Sequence, residues 1–342
     1  MFGPFIHRID PIIASVGGFH VWWYGLSYAL GFSQMHLFIR RRREVLGLSL
    51  REVYSLTLMF SVGVLVGGRA VEVLFDEWGF YSQHPWLIPA LWLGGMATHG
   101  LLIGAAAGTW LFARRYRKSF VALADALVVP GAFLMGMGRI GNFIDGQIVG
   151  SVTDVWWAVL FPYAAGFRHP VVLYDGLKNL VLGAWLTRVH RRQTLPGTTA
   201  IYFVFWYAFP RIFIDLFRDY PTHRLALGTG QTLNLIMAAL GAVLLVWNAR
   251  RRTRGAAPSS SGPVRTSAMA TAHSAAPLVA QRLALAAVLL FCLMVPSNWT
   301  QDVPAHYAAR HADLHHSWFY PALDTAPAAK PPVEVSDAQA EQ

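Results

Sequence analysis

Seven stretches within the first 254 residues are long and apolar enough to be candidate membrane spans, since a helix needs about 20 apolar residues to cross ~30 Å of hydrocarbon. Hydrophobic residues make up 55% of the 342-residue chain and charged residues only 13%, a balance typical of membrane proteins. We therefore predict an all-α polytopic membrane protein with a seven-helix transmembrane core. The predicted spans are residues 21–39, 53–74, 101–112 with their flanks, 120–137, 171–189, 198–217 and 231–247.

Clusters of arginine and lysine predict the orientation of these helices. Cytoplasmic loops carry the excess of basic residues, and every cluster follows an odd-numbered span, which places the N-terminus outside and residue 250 inside. The loops on the other side are rich in Trp, Gly, His and Pro, so we expect them to lie in the outer interface and face outwards. The clusters are residues 40–43, 114–118, 188–192 and 250–254, and the long outer loops are residues 84–100 and 138–170.

The two ends of the chain differ from the core, residues 1–254. The N-terminus lacks the basic, apolar and small-residue regions of a cleaved signal peptide, so none is predicted. The Ser-, Ala- and Pro-rich residues 255–276 predict a flexible linker. Residues 277–296 predict an eighth, C-terminal transmembrane helix, with a surface-lying helix as the alternative. Residues 297–342 are then an extracytoplasmic tail, disordered at its end.

Several kinds of site and partner are disfavoured by the sequence. Cys292 is the single cysteine, so the chain can form neither an internal disulfide nor a zinc site built on several thiolates. His311 and His315 are spaced for one helix face, but no known ligand set completes a metal site there, and an amphipathic helix is favoured. The net charge of +10 comes from clusters beside apolar spans, without a nucleic-acid-binding motif, so no nucleic-acid partner is expected.

Ionisable residues inside the predicted spans need an explanation, because each costs ~2.5–3.5 kcal/mol at the bilayer centre. Arg69 and Glu72 are spaced for an internal ion pair with a structural role. Tyr207, Arg211 and Asp215 follow one another at intervals of four, so they share one helix face. On that face Arg211 either neutralises Asp215 or binds a lipid phosphate. The other candidates are Asp125, Arg139, Asp145, Asp175 and Lys178.

Residues 138–147, GRIGNFIDGQ, combine a guanidinium, two amides and a carboxylate with three glycines. We predict that this stretch leaves the helix and lines a wet cavity, because non-helical backbone at membrane depth is tolerated only there or inside protein. Arginine suits bidentate phosphate binding. The alternative is an interfacial turn in which Arg139 reaches the headgroups.

Two further residues lie at the predicted outer ends of spans. His99 is flanked by glycine, and an imidazole can take up a proton near neutral pH, although an isolated interfacial histidine is more often only a hydrogen-bonding residue. Tyr24 could equally belong to an aromatic belt. The topology brings Tyr24, His99, Arg139 and Arg211 to the outer half, and a shared cavity there accounts for all four.

These residues lie in motifs that resemble the prolipoprotein diacylglyceryl transferase family over roughly residues 5–250. The motifs are WYGLSYALGF (23–32), WLGGMATHG (92–100), ADALVVPGAFLMGMGRIGNFIDGQIVG (124–150), HPVVLYDGL (169–177) and YAFPRIFIDLFR (207–218). The resemblance implies a seven-helix enzyme of the bacterial inner membrane with its active site facing the periplasm. It implies transfer of a diacylglyceryl group from phosphatidylglycerol to the lipobox cysteine of prolipoproteins, with release of glycerol phosphate.

The resemblance also implies roles for individual residues. His99, Arg139 and Arg211 are the expected catalytic residues. No metal and no cofactor are implied, and the expected partners are phosphatidylglycerol, prolipoprotein signal peptides with a lipobox cysteine, and membrane lipids. The expected substrate-binding residues are Tyr24, Arg139, Asn142, Asp145, Gln147, Gly150, Tyr207 and Asp215.

Three motifs depart from the family pattern. The usual Asn-Gly-Glu is Asp145-Gly146-Gln147, the usual late Glu is Asp215, and the second glycine after the histidine is Leu101. These departures motivate an alternative, a family paralogue that binds phospholipid or uses another acceptor. A transporter is disfavoured, because the spans show no inverted repeat with paired broken helices.

Overall fold

The computed structural model describes residues 4–146, 148–162, 164–192, 195–219, 229–253, 276–300 and 317–323. It has a helix at each of the seven predicted positions and at the eighth. Within the described residues, four helices are long and apolar enough to cross a membrane by themselves. The all-α membrane class is therefore confirmed, while the exact number of spans stays a prediction. The helices are α1 Trp23–Arg42, α2 Leu50–Val71, α3 Thr98–Arg115, α4 Phe120–Asp145, α5 Val171–Arg192, α6 Thr198–Ile214, α7 Thr229–Thr253 and α8 Ala276–Leu293.

Several expectations fall on residues that are not described. These are Gln147, the linker apart from residue 276, and the tail at residues 301–316, which include the histidines at 311 and 315, and from residue 324 onwards.

The predicted basic clusters gather at one end of the bundle, which we call the basic end; the opposite end is the site end. Lys118 donates a hydrogen bond to the carbonyl of Gly47, and Arg251 donates to that of Pro196. At the same end a capping box begins α2, because Ser49 and Glu52 each accept from the other's backbone N–H.

One buried carboxylate at the basic end joins two helices. Asp125 of α4 accepts from the backbone N–H of Gly197 at 2.6 Å and of Ala200 at 2.8 Å. These groups belong to the unpaired N–H groups that begin a helix. Asp125 therefore caps the start of α6, which explains a charge that the sequence alone left unassigned.

Helices α2 and α3 approach each other through glycines. A Cβ built on Gly104 would lie 1.9 Å from the carbonyl oxygen of Gly63, and one on Gly67 would lie 2.5 Å from that of Gly100. Small residues at intervals of four permit such backbone contact between membrane helices. Helix α4 packs against α1, α3, α5 and α6, so it is the central helix of the bundle.

The prediction that residues 138–147 leave the helix is wrong. Helix α4 continues to Asp145 and ends at Gly146, whose φ of +71° is left-handed. Gly141 faces α1, where a Cβ would lie 2.9 Å from the Cα of Tyr24. The glycine therefore serves helix packing, and the packing compensates for its low helix propensity.

Short strands and turns cover the site end. Strands β2 (Ile12–Val16) and β3 (Phe19–Trp22) form a hairpin around Gly17 and Gly18, both with positive φ. Strands β1 (Phe5–Ile6), β4 (Val159–Leu160) and β5 (Phe167–Arg168) form a small sheet in the order β1-β4-β5, with β1 parallel to β4.

The expected ion pair between Arg69 and Glu72 is not among the salt bridges of the described residues. The Arg69 guanidinium instead donates to the carbonyls of Gly94 at 2.6 Å, Leu87 at 3.0 Å and Ile88 at 3.3 Å. Spacing on one helix cannot reveal these partners, because they lie in a loop that folds back over the helix end. The structural role is retained, with carbonyls in place of the carboxylate.

We expect Gly104→Ala to lower the free energy of unfolding by about 1–3 kcal/mol, because the added methyl has no room between α2 and α3. Gly131→Ala is the matched control, since a Cβ there meets nothing within 4 Å, and it should be neutral or slightly stabilising. Denaturant unfolding in detergent micelles measures both. Equal losses in the two variants would contradict close glycine packing.

Candidate active site

The buried carboxylate of Asp175, in the first turns of α5, joins two arginines from different helices. Arg139 of α4 donates its Nε–H to Asp175 Oδ2 at 2.6 Å, and Arg211 of α6 donates to the same oxygen. All three side chains are buried. Two guanidinium groups that are far apart in the sequence therefore converge on one anionic oxygen.

A third cation neutralises the other oxygen of this carboxylate. Lys178 Nζ lies 2.8 Å from Asp175 Oδ1 and donates to the carbonyl of Tyr207 at 2.9 Å. It also lies 4.2 Å from the centre of the Tyr207 ring. Tyr207 is fully buried, and its hydroxyl has no hydrogen-bond partner among the described residues. Asp175 thus has cations on both oxygens.

The remaining N–H groups of Arg139 fix its plane. Nη1 donates to Asn142 Oδ1 at 3.0 Å, one turn further along α4, and Nη2 donates to Thr98 Oγ1 at 2.9 Å. Thr98 is the first residue of α3. Arg139 therefore connects three helices, and its orientation depends on where α3 begins.

His99 follows Thr98 and lies at the edge of this cluster. Arg211, Arg139 and Asp215 are within electrostatic range of its imidazole, and the side chain of Asn234 lies beside it. Its Nε2 is buried without a hydrogen-bond partner in the described part of the chain. The ring is therefore half-buried next to the cationic centre.

Arg211 also has an ion-pair partner at the end of its own helix, α6. Its Nη2 lies 3.6 Å from Asp215 Oδ1, and Asn234 of α7 donates to Asp215 Oδ2 at 3.0 Å. The predicted contact between Arg211 and Asp215 is thus present. The Arg211 guanidinium binds Asp175 in addition to Asp215.

Two further predicted substrate-binding residues, Tyr24 and Asp145, contact or belong to the helix that carries Arg139. The Tyr24 hydroxyl lies 3.0 Å from that of Tyr28, and Tyr24 packs on Gly141. Asp145 is buried at the end of α4. The structure brings both to the site end, beside the cluster around Asp175.

Gly150 is a point of close backbone packing near the site. Its N–H donates to the carbonyl of His169 at 3.1 Å, and a Cβ would lie 2.5 Å from that oxygen. Arg168 donates to the Gly150 carbonyl at 3.1 Å. The contacts of Gly150 are therefore structural, while a part in substrate binding stays a prediction.

Leu101, which replaces a glycine of the family pattern, packs on α2. A Cβ at Gly68 would lie 2.5 Å from Leu101 Cδ2, so the leucine fills the space that the small residue leaves. Leu101 thus takes part in the packing between α2 and α3 two residues after His99, and the cationic cluster is present beside it.

A narrow recess adjoins the two converging arginines. Its charged lining has three guanidinium groups and two carboxylates, so one positive charge is in excess. Apolar side chains complete the wall. This combination suits an anion that carries an apolar part. The lining residues are Arg139, Arg211, Arg218, Asp175, Asp215, Ile148, Val171, Val172 and Ile214.

The sequence did not assign four residues of this cluster to the site. Asp175 and Lys178 were noted only as costly charges, although their spacing places both on one face of a helix. Thr98 and Asn234 were not singled out. A polar residue in an apolar span, as Asn234 is, could have indicated the site end of α7.

We expect Asp175→Asn to lower the free energy of unfolding by about 3–5 kcal/mol, because it leaves three buried cations without their shared counter-charge. The matched control is Asp219→Asn, which removes the ion-pair partner of Arg168. The Asp219 side chain is 55% exposed, so this change should cost about 0–1 kcal/mol. Denaturant titration in micelles compares them. A loss for Asp175→Asn as small as the control's would contradict the central place of this carboxylate.

Comparison with known proteins identifies the family. The family model for prolipoprotein diacylglyceryl transferase matches residues 11–247. The phosphatidylglycerol–prolipoprotein diacylglyceryl transferase of Nitrosomonas europaea is 41% identical over 252 residues, which cover 70% of this chain and 90% of the relative. The proteins of the same name from Geobacter sulfurreducens and Mannheimia succiniciproducens are 36% and 37% identical; the alignments cover 72% of this chain, and 97% and 95% of these relatives. Together with the site, these matches show that the chain belongs to the prolipoprotein diacylglyceryl transferase family.

Proposed function

We propose that this transferase moves the diacylglyceryl group of phosphatidylglycerol to the lipobox cysteine thiol of prolipoproteins and releases glycerol phosphate. The observation that carries the proposal is the convergence of Arg139 and Arg211 on Asp175 Oδ2. Two guanidinium groups that share one anionic oxygen are arranged to share the oxygens of one phosphate. Family membership supplies the reaction class.

In the proposed reaction the headgroup phosphate takes the place of the Asp175 carboxylate in front of both arginines. Lys178 keeps its contact with Asp175 Oδ1, 2.8 Å away, so the carboxylate retains a cation when the arginines release it. The apolar wall formed by Val171, Val172 and Ile214 then lies beside the glycerol backbone and the start of the acyl chains.

The chemical step is a displacement at the diacylglycerol carbon that bears the phosphate oxygen. The cysteine sulfur forms a bond to this carbon while the carbon–oxygen bond to the phosphate breaks, and the electron pair of that bond stays on the leaving phosphate oxygen. Arg139 and Arg211 stabilise the charge that develops there. The thiol proton passes to His99, whose imidazole lies within electrostatic range of both arginines.

The basic clusters support an orientation with the N-terminus outside, and family membership supports a placement in the bacterial inner membrane. The basic end of the bundle is then cytoplasmic, and the cluster around Asp175 faces the periplasm. Both proposed substrates are accessible from that side, the lipid within the outer leaflet and the prolipoprotein through its signal peptide.

We expect Arg139→Ala and Arg211→Ala each to lower kcat/KM by roughly 10²–10³, the usual loss for one group that stabilises developing charge. An assay with labelled phosphatidylglycerol and a lipobox peptide in vesicles measures transfer. Arg8→Ala, which removes an exposed guanidinium near the N-terminus, is the control and should be unchanged. No transfer by the unaltered protein, or full transfer by Arg139→Ala, would reject the mechanism.

If His99 accepts the thiol proton, His99→Ala should lose activity in a pH-dependent way. A free thiol has a pKa of about 8.5, so at pH 7 it needs a base, whereas at pH 9 most of it is already thiolate. The deficit in kcat should therefore shrink as the pH rises from 7 to 9. His84→Gln, at the same end of the bundle, is the control. A deficit that is constant over this range would show that His99 only positions the lipid.

A further inference from the structure

The chain continues past the matched family region, residues 11–247, and the described part of this continuation packs on the core. Helix α8 contacts both α1 and α2. Gly25 of α1 makes this possible, since a Cβ there would lie 2.1 Å from the carbonyl oxygen of Cys292. Towards the basic end, Gln281 donates to Ser55 of α2 at 2.7 Å. The continuation is therefore seated along the whole length of the bundle.

After α8, residues 296–300 form what we call the C-terminal segment, which pairs with the loop of residues 91–97. The N–H of Trp299 donates to the Leu93 carbonyl at 2.7 Å, and the N–H of Gly95 donates to the Ser297 carbonyl at 2.8 Å. Gly94 has a φ of +74°, and a Cβ there would lie 2.2 Å from the Pro296 carbonyl oxygen. The backbones of the loop and the segment thus lie in direct contact.

Buried side chains hold this pairing in place. The Trp299 ring packs between Trp22 and Tyr320, and all three are almost fully buried. The Thr300 hydroxyl donates to Glu77 Oε2 at 2.6 Å, and Asn298 donates to Glu77 Oε1. Glu77 is itself buried, so the segment supplies hydrogen bonds to a carboxylate that has lost its contact with water.

A second chain of contacts leads from Thr300 to the same loop. The Tyr81 hydroxyl donates to Thr300 Oγ1 at 3.3 Å, and burial raises the pKa of Tyr81 to about 12, so this donor stays neutral. The Arg69 guanidinium lies 4.6 Å from the centre of the Tyr81 ring and donates to the Gly94 carbonyl. The loop is therefore held by the segment directly and through Arg69.

The 91–97 loop ends where the active site begins. The N–H of Ala97 donates to the Gly68 carbonyl at 3.1 Å, and the next two residues are Thr98, which accepts from Arg139, and His99. Only three residues separate Gly95, bound by the segment, from His99. Displacement of the loop would therefore move both site residues.

We propose that the C-terminal segment positions the transfer site: by pairing with the 91–97 loop it sets the place of Thr98 and His99 relative to Arg139. Asn298, Trp299 and Thr300 are then positioning residues. The expected effect on transfer rests on the proposed function, whereas the expected effect on the position of the loop rests on the backbone pairing alone.

Thr300→Val tests the proposal, because valine keeps the shape of threonine and removes the hydroxyl that binds Glu77. We expect kcat for transfer to fall roughly 10- to 100-fold, the usual cost of a small misplacement of reacting groups, with KM for phosphatidylglycerol changed less than twofold. Backbone amides of residues 95–101 should exchange hydrogen faster. Thr300→Ser, which keeps the hydroxyl, should restore both values.

Two further variants make the result decisive. Gln281→Ala loses a hydrogen bond of the same continuation far from the loop, and it should match the unaltered protein. Tyr81→Phe removes only the hydroxyl that binds Thr300, and it should lower kcat in the same direction by a smaller factor, even if Thr300→Val does not fold.

The outcomes separate this proposal from the proposed function. An unchanged kcat in the folded variants, or an equal fall in Gln281→Ala, would overturn the positioning role. If the unaltered protein transfers nothing, the proposed function fails, and amide exchange alone decides. Faster exchange of residues 95–101 in Thr300→Val but not in Gln281→Ala supports the coupling, and unchanged exchange overturns it.

Discussion

The bond that Arg139 and Arg211 share through Asp175 determines most of the architecture at the site end. Three cations cannot remain buried in an apolar bundle without counter-charges; the Asp175 carboxylate contacts all three, and Asp215 adds a second negative charge beside Arg211. Helices α4, α5 and α6 must therefore stay at a fixed separation. Because the buried cations need a negative charge beside them, the cluster can also accept a substrate anion. A phosphate can supply the negative charge that the carboxylate provides.

Close packing elsewhere allows this polar centre to exist. Glycines let α2 approach α3 and let α1 approach α4, and Tyr24 lies against Gly141, two residues after Arg139. Contacts of this kind exclude lipid and leave little freedom to the guanidinium groups. The hydrogen bonds from Arg139 to Asn142 and Thr98 then set its plane, so orientation comes from neighbouring helices.

Apolar length predicted the positions of the eight long helices, and basic clusters predicted their orientation, because both are local properties of the chain. The cost of burying charge pointed to Arg139 and Arg211, and the family motifs to His99. Local reasoning failed at residues 138–147, where glycines suggested a break but in fact permit packing against α1. It also failed for Asp175, Thr98 and Asn234, because their partners lie on other helices and no spacing within one helix records them.

Asp125, at the basic end, has a consequence for the two arginines. It fastens the beginning of α6 to α4, and the two helices run in parallel towards the site end. Arg139 comes fourteen residues after Asp125 and Arg211 thirteen after Thr198, so at ~1.5 Å per residue each guanidinium is carried about 20 Å from this common origin. The carboxylate thus sets a common starting level for both helices, and the nearly equal spacing from that level to each arginine brings both charges to about the same depth in the membrane.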